Sequence, residues 1–264
     1  LIELIYLIKI KYLYVQIVNI VCVFLLFINK KLNFFKLVDI DHFMISIIVV
    51  CHNYGRFLEK CVKSILSNDR KFIKEILIIN DSSEDNTQNV AYKLKKNNHF
   101  IRYFKKNFRS LSKSTNFGVK KSKSKWITKI DADDYISKNF LKVFYEELKK
   151  KKLEFIYGNL IEINRLNRKT RLINQNYSKN NIIKYPMGSG TIFNKSVWKS
   201  VGGFDEKLFY QDDYDFWLKL RKKKFKIGYI NKAHYFYKKH SNNMSSNQIK
   251  KNLTKIYVLL KNIL

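Results

Sequence analysis

Two clusters of acidic residues stand out in a chain of 264 residues that is otherwise rich in lysine. The first cluster is Asp131-Ala132-Asp133-Asp134, directly after an apolar run, and the second is Asp212-Asp213-Tyr214-Asp215. Neighbouring carboxylates repel each other unless a cation neutralises them. Hard divalent cations such as Mg²⁺ take carboxylate oxygens together with substrate phosphates. The first cluster therefore predicts a metal site at Asp131 and Asp133, and an acidic turn that caps the following helix is the alternative.

The second acidic cluster is followed by Phe216, Trp217 and Leu220 at helical spacing, so it is predicted to begin a helix. Carboxylates are stabilised at a helix N-terminus by the helix dipole, and capping is one interpretation of the cluster. Three acids exceed what a single cap requires. An Asp held across a cleft from a metal site could instead act as general base toward an incoming hydroxyl.

The elements that must position these clusters follow from the pattern after Met44, where short apolar runs alternate with helical stretches. This alternation predicts βαβ units and a mainly parallel sheet. The predicted strands are 45–51, 76–79, 100–104, 126–130 and 155–157. The predicted helices are 57–66, 85–96, 112–121, 140–150 and 248–264, together with the helix that the second acidic cluster begins.

Three polar segments follow predicted strands: His52-Asn53, Asn80-Asp81 and the first acidic cluster. Ligands of open α/β sheets bind outside the carboxyl ends of the strands, so we expect these segments to form one site. The chain contains neither GxGxxG after a strand nor GxxxxGK[ST], which argues against a dehydrogenase and a P-loop nucleotidase.

In their order along the chain these motifs resemble the family 2 glycosyltransferases, inverting enzymes of the GT-A fold that transfer sugars from nucleotide-sugar donors. The resemblance runs from Met44 to about Ser245. The matching segments are Ser46 to Asn53 (first strand and loop), Asn80 to Thr87 (base-binding segment), Asp131 to Asp134 (metal motif), Gly188 to Glu206 (acceptor side), Asp212-Asp213 (acidic pair) and Tyr237 to His240 (late histidine segment).

The resemblance implies an α/β GT-A fold, with a mainly parallel central sheet flanked by helices, and a role for each matching residue. The expected catalytic base is Asp213. The expected ligands of a divalent cation, Mg²⁺ or Mn²⁺, are Asp131, Asp133 and His240. The expected nucleotide-sugar contacts are His52, Asn53, Asp81, Asn116 and Asp131, and the expected acceptor-side residues are Gly188, Ser189 and Asp212.

The implied activity is transfer of a sugar, from a donor we expect to be UDP-linked, to a hydroxyl of a saccharide or lipid-linked acceptor, in the synthesis of cell-surface polysaccharide or glycan. Two departures leave an alternative open. Thr115 stands where the family carries Arg, and Val50 stands where it carries Pro. A catalytically inactive member of the family is therefore a second interpretation.

The charge of the chain gives a third interpretation, because 52 basic and 21 acidic residues leave a net charge of +31. Such a balance is typical of proteins that bind nucleic acid or an anionic membrane. Only 8 of the basic residues are Arg, the residue favoured for planar phosphate recognition. Abundant Lys, Asn, Ile, Phe and Tyr beside few Ala, Gly and Pro indicate an AT-rich coding sequence instead. We therefore expect no nucleic-acid partner.

The chain is predicted to have three parts: a hydrophobic leader at 1–43, a catalytic domain at 44–245 and a C-terminal amphipathic helix at 246–264. The leader contains the uncharged run Tyr12 to Asn29 and is interpreted as a membrane anchor or as a non-native extension before a start at Met44. The C-terminal helix could pack on the domain or lie on a membrane. Cys51 and Cys61 are predicted to be reduced core residues of a cytoplasmic protein, with the inner face of the membrane as a second location.

Overall fold

The computed structural model describes residues 44–164, 169–177, 184–240 and 248–263. The chain divides into two units, Leu1–His42 and Phe43–Leu264, and the described residues all belong to the second. The predicted leader, with its apolar run from Tyr12 to Asn29, lies outside the described residues. Within the described ranges, no helix has both the length and the apolar character needed to cross a bilayer.

The first half of the domain forms a parallel sheet with helices between its strands. Its elements are β1 (Ile45–Cys51), α1 (Gly55–Leu66), β2 (Ile73–Asp81), α2 (Thr87–Lys96), β3 (Ile101–Lys106), α3 (Leu111–Lys121) and β4 (Trp126–Asp131). β1 pairs in parallel with both β2 and β4, and β2 pairs in parallel with β3. Every residue of β1 is buried, as expected for a continuous apolar strand in the middle of a parallel sheet.

The second half extends the same sheet with strands of both directions. Its elements are β5 (Tyr135–Ile136), α4 (Phe140–Lys151), β6 (Phe155–Asn164), β7 (Thr170–Ile173), β8 (Ile192–Asn194), α5 (Lys195–Ser200), α6 (Asp212–Arg221), β9 (Ile227–Lys239) and α7 (Gln248–Ile263). The strand order is β3-β2-β1-β4-β8-β6-β9-β5, with β7 paired to β6. β8 is antiparallel to both of its neighbours, whereas β6 and β9 are parallel. The predicted α/β fold class is confirmed as a mostly parallel mixed sheet with flanking helices.

Alternating side chains of the central strand contribute to two apolar cores, one on each face of the sheet. Ile47 and Val49 pack with α1, α2 and α4, whereas Ile48 and Val50 pack with α3, α5 and α6. Full burial of one such side chain contributes roughly 1.5–3 kcal/mol, so these cores dominate the stability of the domain. Because both faces are covered, the carboxyl ends of β1, β2 and β4 are held at one edge of the sheet.

The predicted elements are found, with differences in extent. β2 and β6 are longer than predicted, and the helix predicted at 85–96 begins at Thr87. The 13-residue β9 was not predicted, because Lys, Asn and His interrupt its apolar residues and many of its positions are half-buried. Cys51 and Cys61 are free and buried, in agreement with their predicted place in the core.

Candidate active site

The loop after β2 is organised around the Asp81 carboxylate, which is almost fully buried. Its oxygens accept hydrogen bonds from the backbone N–H groups of Phe108 (2.7 Å), Arg109 (2.9 Å) and Ser110 (3.0 Å), and from the Ser114 hydroxyl (2.9 Å). Burial would raise the pKa of Asp81, but these hydrogen bonds outweigh it and hold the pKa below its usual value. Asp81 thus fixes the segment that leads into α3 and remains ionised.

The loop after β1 is tied to the same region by its two polar residues. The Nδ1–H of His52 donates to the Asp81 carbonyl oxygen at 2.7 Å, and the Asn53 carboxamide oxygen accepts from the Glu84 N–H at 2.8 Å. Asn53 has a φ of 58°, a left-handed conformation that Asn tolerates better than most residues. Both side chains are exposed, so the structure brings His52, Asn53 and Asp81 together at one edge of the sheet.

The first acidic cluster forms the turn at the end of β4, and Asp134 anchors that turn. One oxygen of its buried carboxylate accepts from the Tyr235 hydroxyl at 2.6 Å, and the other accepts from the Lys238 N–H at 2.7 Å. Burial and the neighbouring charges of Asp133 and Asp131 raise the pKa of Asp134 well above its usual value. These contacts join the turn to β9, so the unpredicted strand is what positions the predicted motif.

Asp133 contacts the histidine that the sequence associates with it. His240 Nε2 lies 3.0 Å from Asp133 Oδ2, and the His240 ring stacks on Phe57 of α1 with centroids 5.2 Å apart. Burial, followed by the charge of Asp131, raises the pKa of Asp133. His240 is thereby held between the first acidic cluster and the start of α1.

The residues Asp131, Asp133 and His240 fit a hard divalent cation by their chemistry. They provide two carboxylates and an imidazole, and a cation would offset the charge of Asp131, which adds to the effect of burial in raising the pKa of Asp133. Among the residues that the structure describes, no three His, Cys, Asp or Glu side chains are already gathered as a metal-binding group. The carboxylate of Asp131 is turned toward a lysine instead.

That lysine, Lys129 of β4, is a site residue that the sequence-based predictions missed. Its Nζ lies 3.1 Å from Asp131 Oδ1, and its side chain is 8% exposed. Burial alone would lower the pKa of Lys129, but the charges of Asp131 and Asp212 raise it, with a further contribution from Asp213. One buried cation therefore interacts with both acidic clusters.

The second acidic cluster begins α6 as predicted, and Asp213 faces a close glycine. Asp213 Oδ2 accepts from the Gly188 N–H at 3.3 Å, and its Oδ1 accepts from the Tyr214 N–H at 2.9 Å. A Cβ atom on Gly188 would lie 2.8 Å from Asp213 Cβ, so only glycine allows this approach. Burial raises the pKa of Asp213, whereas Lys129 and the Gly188 N–H lower it.

Asp212 and Asp215 have different surroundings from Asp213. Burial and the charge of Asp213 raise the pKa of Asp212 to about 6, while Lys129 opposes that rise. Asp215 is fully buried and pairs with Lys219 at 2.9 Å and Lys261 at 2.9 Å. Asp215 thus joins α6 to α7. Asp212 and Asp213 are the members of the cluster whose pKa values are lowered by the charge of Lys129.

Asn116 of α3 is hydrogen-bonded within the protein, to α5 and to the segment that follows it. Its buried carboxamide accepts from Trp198 Nε1 (2.9 Å) and the Phe204 N–H (3.0 Å), and donates to the Phe204 carbonyl (2.8 Å) and Glu206 Oε1 (3.0 Å). These bonds use the full capacity of the group. The structure therefore directs Asn116 toward the 203–206 segment.

Thr115 and Ser189 complete the set of positions that the sequence singled out. The Thr115 hydroxyl donates to the Leu111 carbonyl within α3 at 2.8 Å, so it faces its own helix. Ser189 is buried, and the neighbouring Gly188 contacts Asp213 at the start of α6. The Gly190 N–H donates to the Lys129 carbonyl at 2.8 Å, which joins the 188–190 segment to β4.

A family model described as glycosyl transferase family 2 matches residues 46–205, more than half of the chain. The chain belongs to this family. The resemblance drawn from its motifs is thereby confirmed, and the chain is a family 2 glycosyltransferase.

Curated relatives of this family 2 member are longer proteins. It is 31% identical over 210 residues to hyaluronan synthase of Pasteurella multocida and 30% identical to chondroitin synthase of P. multocida strain Pm70, covering 76% of this chain and 21% of each relative. It is 29% identical over 203 residues to poly-beta-1,6-N-acetyl-D-glucosamine synthase of Staphylococcus epidermidis, covering 70% of this chain and 48% of that one. The chain therefore spans a fifth to a half of the length of these relatives.

A solved structure supports the fold of this family 2 member. TarS of S. aureus, residues 1–349 in complex with UDP-GlcNAc, superposes with a TM-score of 0.71 at 22% identity, covering 84% of this chain and 66% of that one. At this identity the similarity is evidence for the fold alone. It confirms the GT-A architecture that the resemblance implied.

Proposed function

We propose that this chain catalyses transfer of a sugar from a UDP-linked donor to a hydroxyl of a saccharide or lipid-linked acceptor, with inversion at the anomeric carbon. The observation that carries the proposal is the buried Lys129, which pairs with Asp131 of the first acidic cluster and whose pKa is also raised by the charges of Asp212 and Asp213 of the second. The similarity to hyaluronan synthase and to poly-beta-1,6-N-acetyl-D-glucosamine synthase, and the UDP-GlcNAc bound to TarS, support a UDP-sugar donor and a glycan product. The proposed product is a cell-surface polysaccharide or glycan.

The donor is proposed to bind where the loops after β1 and β2 meet. His52 and Asn53 offer exposed polar groups there, and the buried Asp81 carboxylate holds the adjoining 108–110 backbone. In this proposal His52 and Asn53 contact the nucleotide directly. Asp81 and Asn116 act mainly by fixing the segments around it, because their hydrogen-bonding groups are already used within the protein.

Asp131, Asp133 and His240 are proposed to hold a divalent cation, Mg²⁺ or Mn²⁺. Such a cation, when bound, stabilises the negative charge that develops on the leaving diphosphate. Asp131 is half-buried and paired with Lys129, whereas Asp133 is almost fully buried against His240. We therefore expect the more exposed Asp131 to contact both the cation and the donor. The more buried Asp133 and His240 would contact the cation.

Asp213 is proposed to be the catalytic base, with Gly188, Ser189 and Asp212 on the acceptor side. The acceptor oxygen attacks the anomeric carbon as its proton moves to the Asp213 carboxylate, and the bond from that carbon to the diphosphate oxygen breaks. The Gly188 N–H holds one carboxylate oxygen, and burial raises the pKa of the group toward the range useful for a base. Lys129 keeps the ionised form available by opposing that rise.

We propose that residues 44–245 form the catalytic domain and that residues 246–264 form a C-terminal helix. A cytoplasmic location is proposed, supported by the free, buried state of Cys51 and Cys61, and the inner face of the membrane is the second location. We interpret the leader at 1–43, as before, as a membrane anchor or as a non-native extension.

The test is a panel of UDP-sugars assayed with the full chain for donor binding, donor hydrolysis and transfer, with Mg²⁺, with Mn²⁺ and with EDTA. We expect Asp131→Asn to lose metal-dependent UDP binding. Glu59→Gln, a change at an exposed acid of α1, is the matched control and should leave binding and turnover unchanged. Absence of metal-dependent nucleotide binding in the unaltered chain would refute the proposal.

The same assay separates the two alternatives. An inactive family member, suggested by Thr115 and Val50, would bind UDP without transfer or hydrolysis of any donor. A polyanion-binding module, suggested by the charge of +31, would bind nucleic acid with strong salt dependence and no response to Asp131→Asn.

A further inference from the structure

The residue before the second acidic cluster, Gln211, combines an unfavourable backbone conformation with a buried side chain. Its φ of 63° lies in the left-handed region, which is costly for a residue that has a Cβ atom, and Gln211 is 5% exposed. The Asp215 N–H donates to the Gln211 carbonyl at 2.9 Å, so Gln211 is the residue from which α6 begins. Such conformations persist where surrounding contacts fix them, and they cluster at functional sites. The contacts that fix Gln211 therefore also fix the start of α6.

The Gln211 carboxamide links two other parts of the chain to the start of α6. Its Oε1 accepts a hydrogen bond from the Tyr185 hydroxyl, and its Nε2 donates to the Lys251 carbonyl of α7 at 3.2 Å. The Tyr185 ring also packs on the Tyr214 ring of α6, with centroids 4.7 Å apart. Burial raises the pKa of Tyr185, so its hydroxyl stays protonated and able to donate. We call the hydrogen bond between Tyr185 and Gln211 the clip.

Two hydrogen bonds join the 185–188 segment to the start of α6, and the clip is the first of them. The second is the bond from the Gly188 N–H to Asp213 Oδ2, at 3.3 Å. This distance exceeds the usual range of about 2.7–3.2 Å for such a bond, so the bond is weak. The two residues are nevertheless tightly packed, because a Cβ atom on Gly188 would lie 2.8 Å from Asp213 Cβ. A weak bond in a close contact needs other contacts to keep its two sides in place.

The rest of the acceptor-side segment is bonded to other parts of the fold, not to α6. The Met187 N–H donates to the buried Gln175 Oε1 at 2.7 Å, and the Gly190 N–H donates to the Lys129 carbonyl of β4 at 2.8 Å. These bonds fix the segment on the sheet side. The clip then determines where the first turn of α6 lies relative to that segment.

We propose that Tyr185 and Gln211 are positioning residues for Asp213. The clip holds the first turn of α6 so that the Asp213 carboxylate meets the Gly188 N–H on the acceptor side. This inference rests on the proposed function, because Asp213 is the base of the proposed transfer. Both residues act through Asp213 and do not contact the substrate.

Two variants of the full chain test the clip. Tyr185→Phe removes the hydroxyl and keeps the ring on Tyr214, and Gln211→Met keeps an unbranched side chain without its hydrogen bonds. Turnover of the UDP-sugar panel and Mn²⁺-dependent UDP binding are measured for each variant. We expect kcat to fall by about tenfold, because a small displacement of a catalytic group costs up to about 10²-fold, and UDP affinity to stay within about twofold. Tyr92→Phe, the same change at an exposed tyrosine of α2, is the matched control and should leave kcat unchanged.

The pH dependence of kcat distinguishes positioning from a loss of folded protein. The Gly188 N–H lowers the pKa of Asp213, against the effect of burial. Because a base acts in its ionised form, loss of this bond should move the acid limb of the profile to higher pH, by roughly 0.5 unit or more. The charged groups near Asp213 are not changed in either variant and cannot cause the shift. They are Lys129 of β4, Asp212 of α6, and Lys251 and Lys255 of α7.

Hydrogen exchange gives a measurement that needs no turnover. Mass spectrometry of a peptide that covers residues 211–216 reports on the first turn of α6. We expect this peptide to exchange roughly fivefold faster or more in both variants, because the lost hydrogen bond makes local opening easier. The Tyr92→Phe control should exchange like the unaltered chain.

The outcomes separate this inference from the proposed function. Absence of turnover of any UDP-sugar by the unaltered chain would overturn both. If the unaltered chain is active, unchanged kcat in the two variants would overturn the positioning role alone. The same conclusion would follow from a loss of kcat with the acid limb unmoved, from a parallel loss of UDP affinity, or from unchanged exchange at 211–216.

Discussion

Replacement of Lys129 by Met removes the cation that interacts with both acidic clusters while leaving an unbranched side chain of similar length. The ion pair with Asp131 is lost. The pKa values of Asp212 and Asp213 should also rise further, because Lys129 no longer opposes the effect of burial on them. Breaking a buried ion pair by removing one partner costs about 3–5 kcal/mol. Because Asp131 remains 29% exposed, water screens part of this cost, and we expect a loss of about 2–3 kcal/mol.

For a domain of this size, about 2–3 kcal/mol corresponds to a fall in Tm of about 4–12 °C. Thermal unfolding followed by circular dichroism measures that fall, with Lys129→Arg as the matched variant that keeps the charge. Arg should recover at least half of the lost Tm, since its charge can still pair with Asp131. A change in Tm below about 1 °C for Lys129→Met, or an equal loss for Met and Arg, would refute the role given to this lysine.

Three further predictions concern the surroundings of Lys129. Gly188→Ala should lower the transfer rate about tenfold or more and leave UDP affinity unchanged, because the added Cβ displaces the Asp213 side chain. Steady-state kinetics and a UDP titration measure these two quantities. An unchanged transfer rate would contradict the close contact between Gly188 and Asp213. Asp212→Asn should increase the free energy of unfolding at pH 8. The pKa of Asp212 is about 6 in the folded chain against 3.8 in the unfolded one, so the ionised carboxylate destabilises the fold. The gain should vanish as the pH falls below about 4, and urea unfolding across that range tests whether Asp212→Asn stabilises the fold. Asn116→Ala should lower the free energy of unfolding by about 2–4 kcal/mol, because the part-buried Trp198 N–H and the buried Phe204 backbone lose their partner. Urea unfolding measures the loss, and a loss below about 1 kcal/mol would contradict the structural role of Asn116.

The central sheet was predictable because β1 and β4 are largely apolar and buried, and because β1, β2 and β4 are followed by polar loops. β1 and β4 are buried on both faces, and such strands stand out in sequence against the lysine-rich background. The polar segments at the ends of β1, β2 and β4 then follow from topology alone. In contrast, β9 alternates apolar residues with Lys, Asn and His, so its pattern does not distinguish a strand from a loop.

Within the site, Lys129 could not be predicted because its partners are distant in the chain. A lysine inside Trp-Ile-Thr-Lys-Ile-Asp is typical of a solvated strand position, and only the placement of α6 gives it Asp212 and Asp213. Asn116 is the opposite case, since its motif suggested a donor contact. The position of α5 and the 203–206 segment, which no local pattern encodes, gives Asn116 four hydrogen bonds to three residues.

The most direct test of the proposed activity is a comparison of Asp213→Asn with the unaltered chain in sugar transfer and in Mn²⁺-dependent UDP binding. Transfer should fall by about 10²–10⁴-fold, since the amide cannot accept the acceptor proton. UDP binding measured by calorimetry should stay within about twofold, because the donor loops and the Asp131, Asp133 and His240 set are untouched. Transfer that persists at the unaltered rate would contradict the assignment of Asp213 as the base.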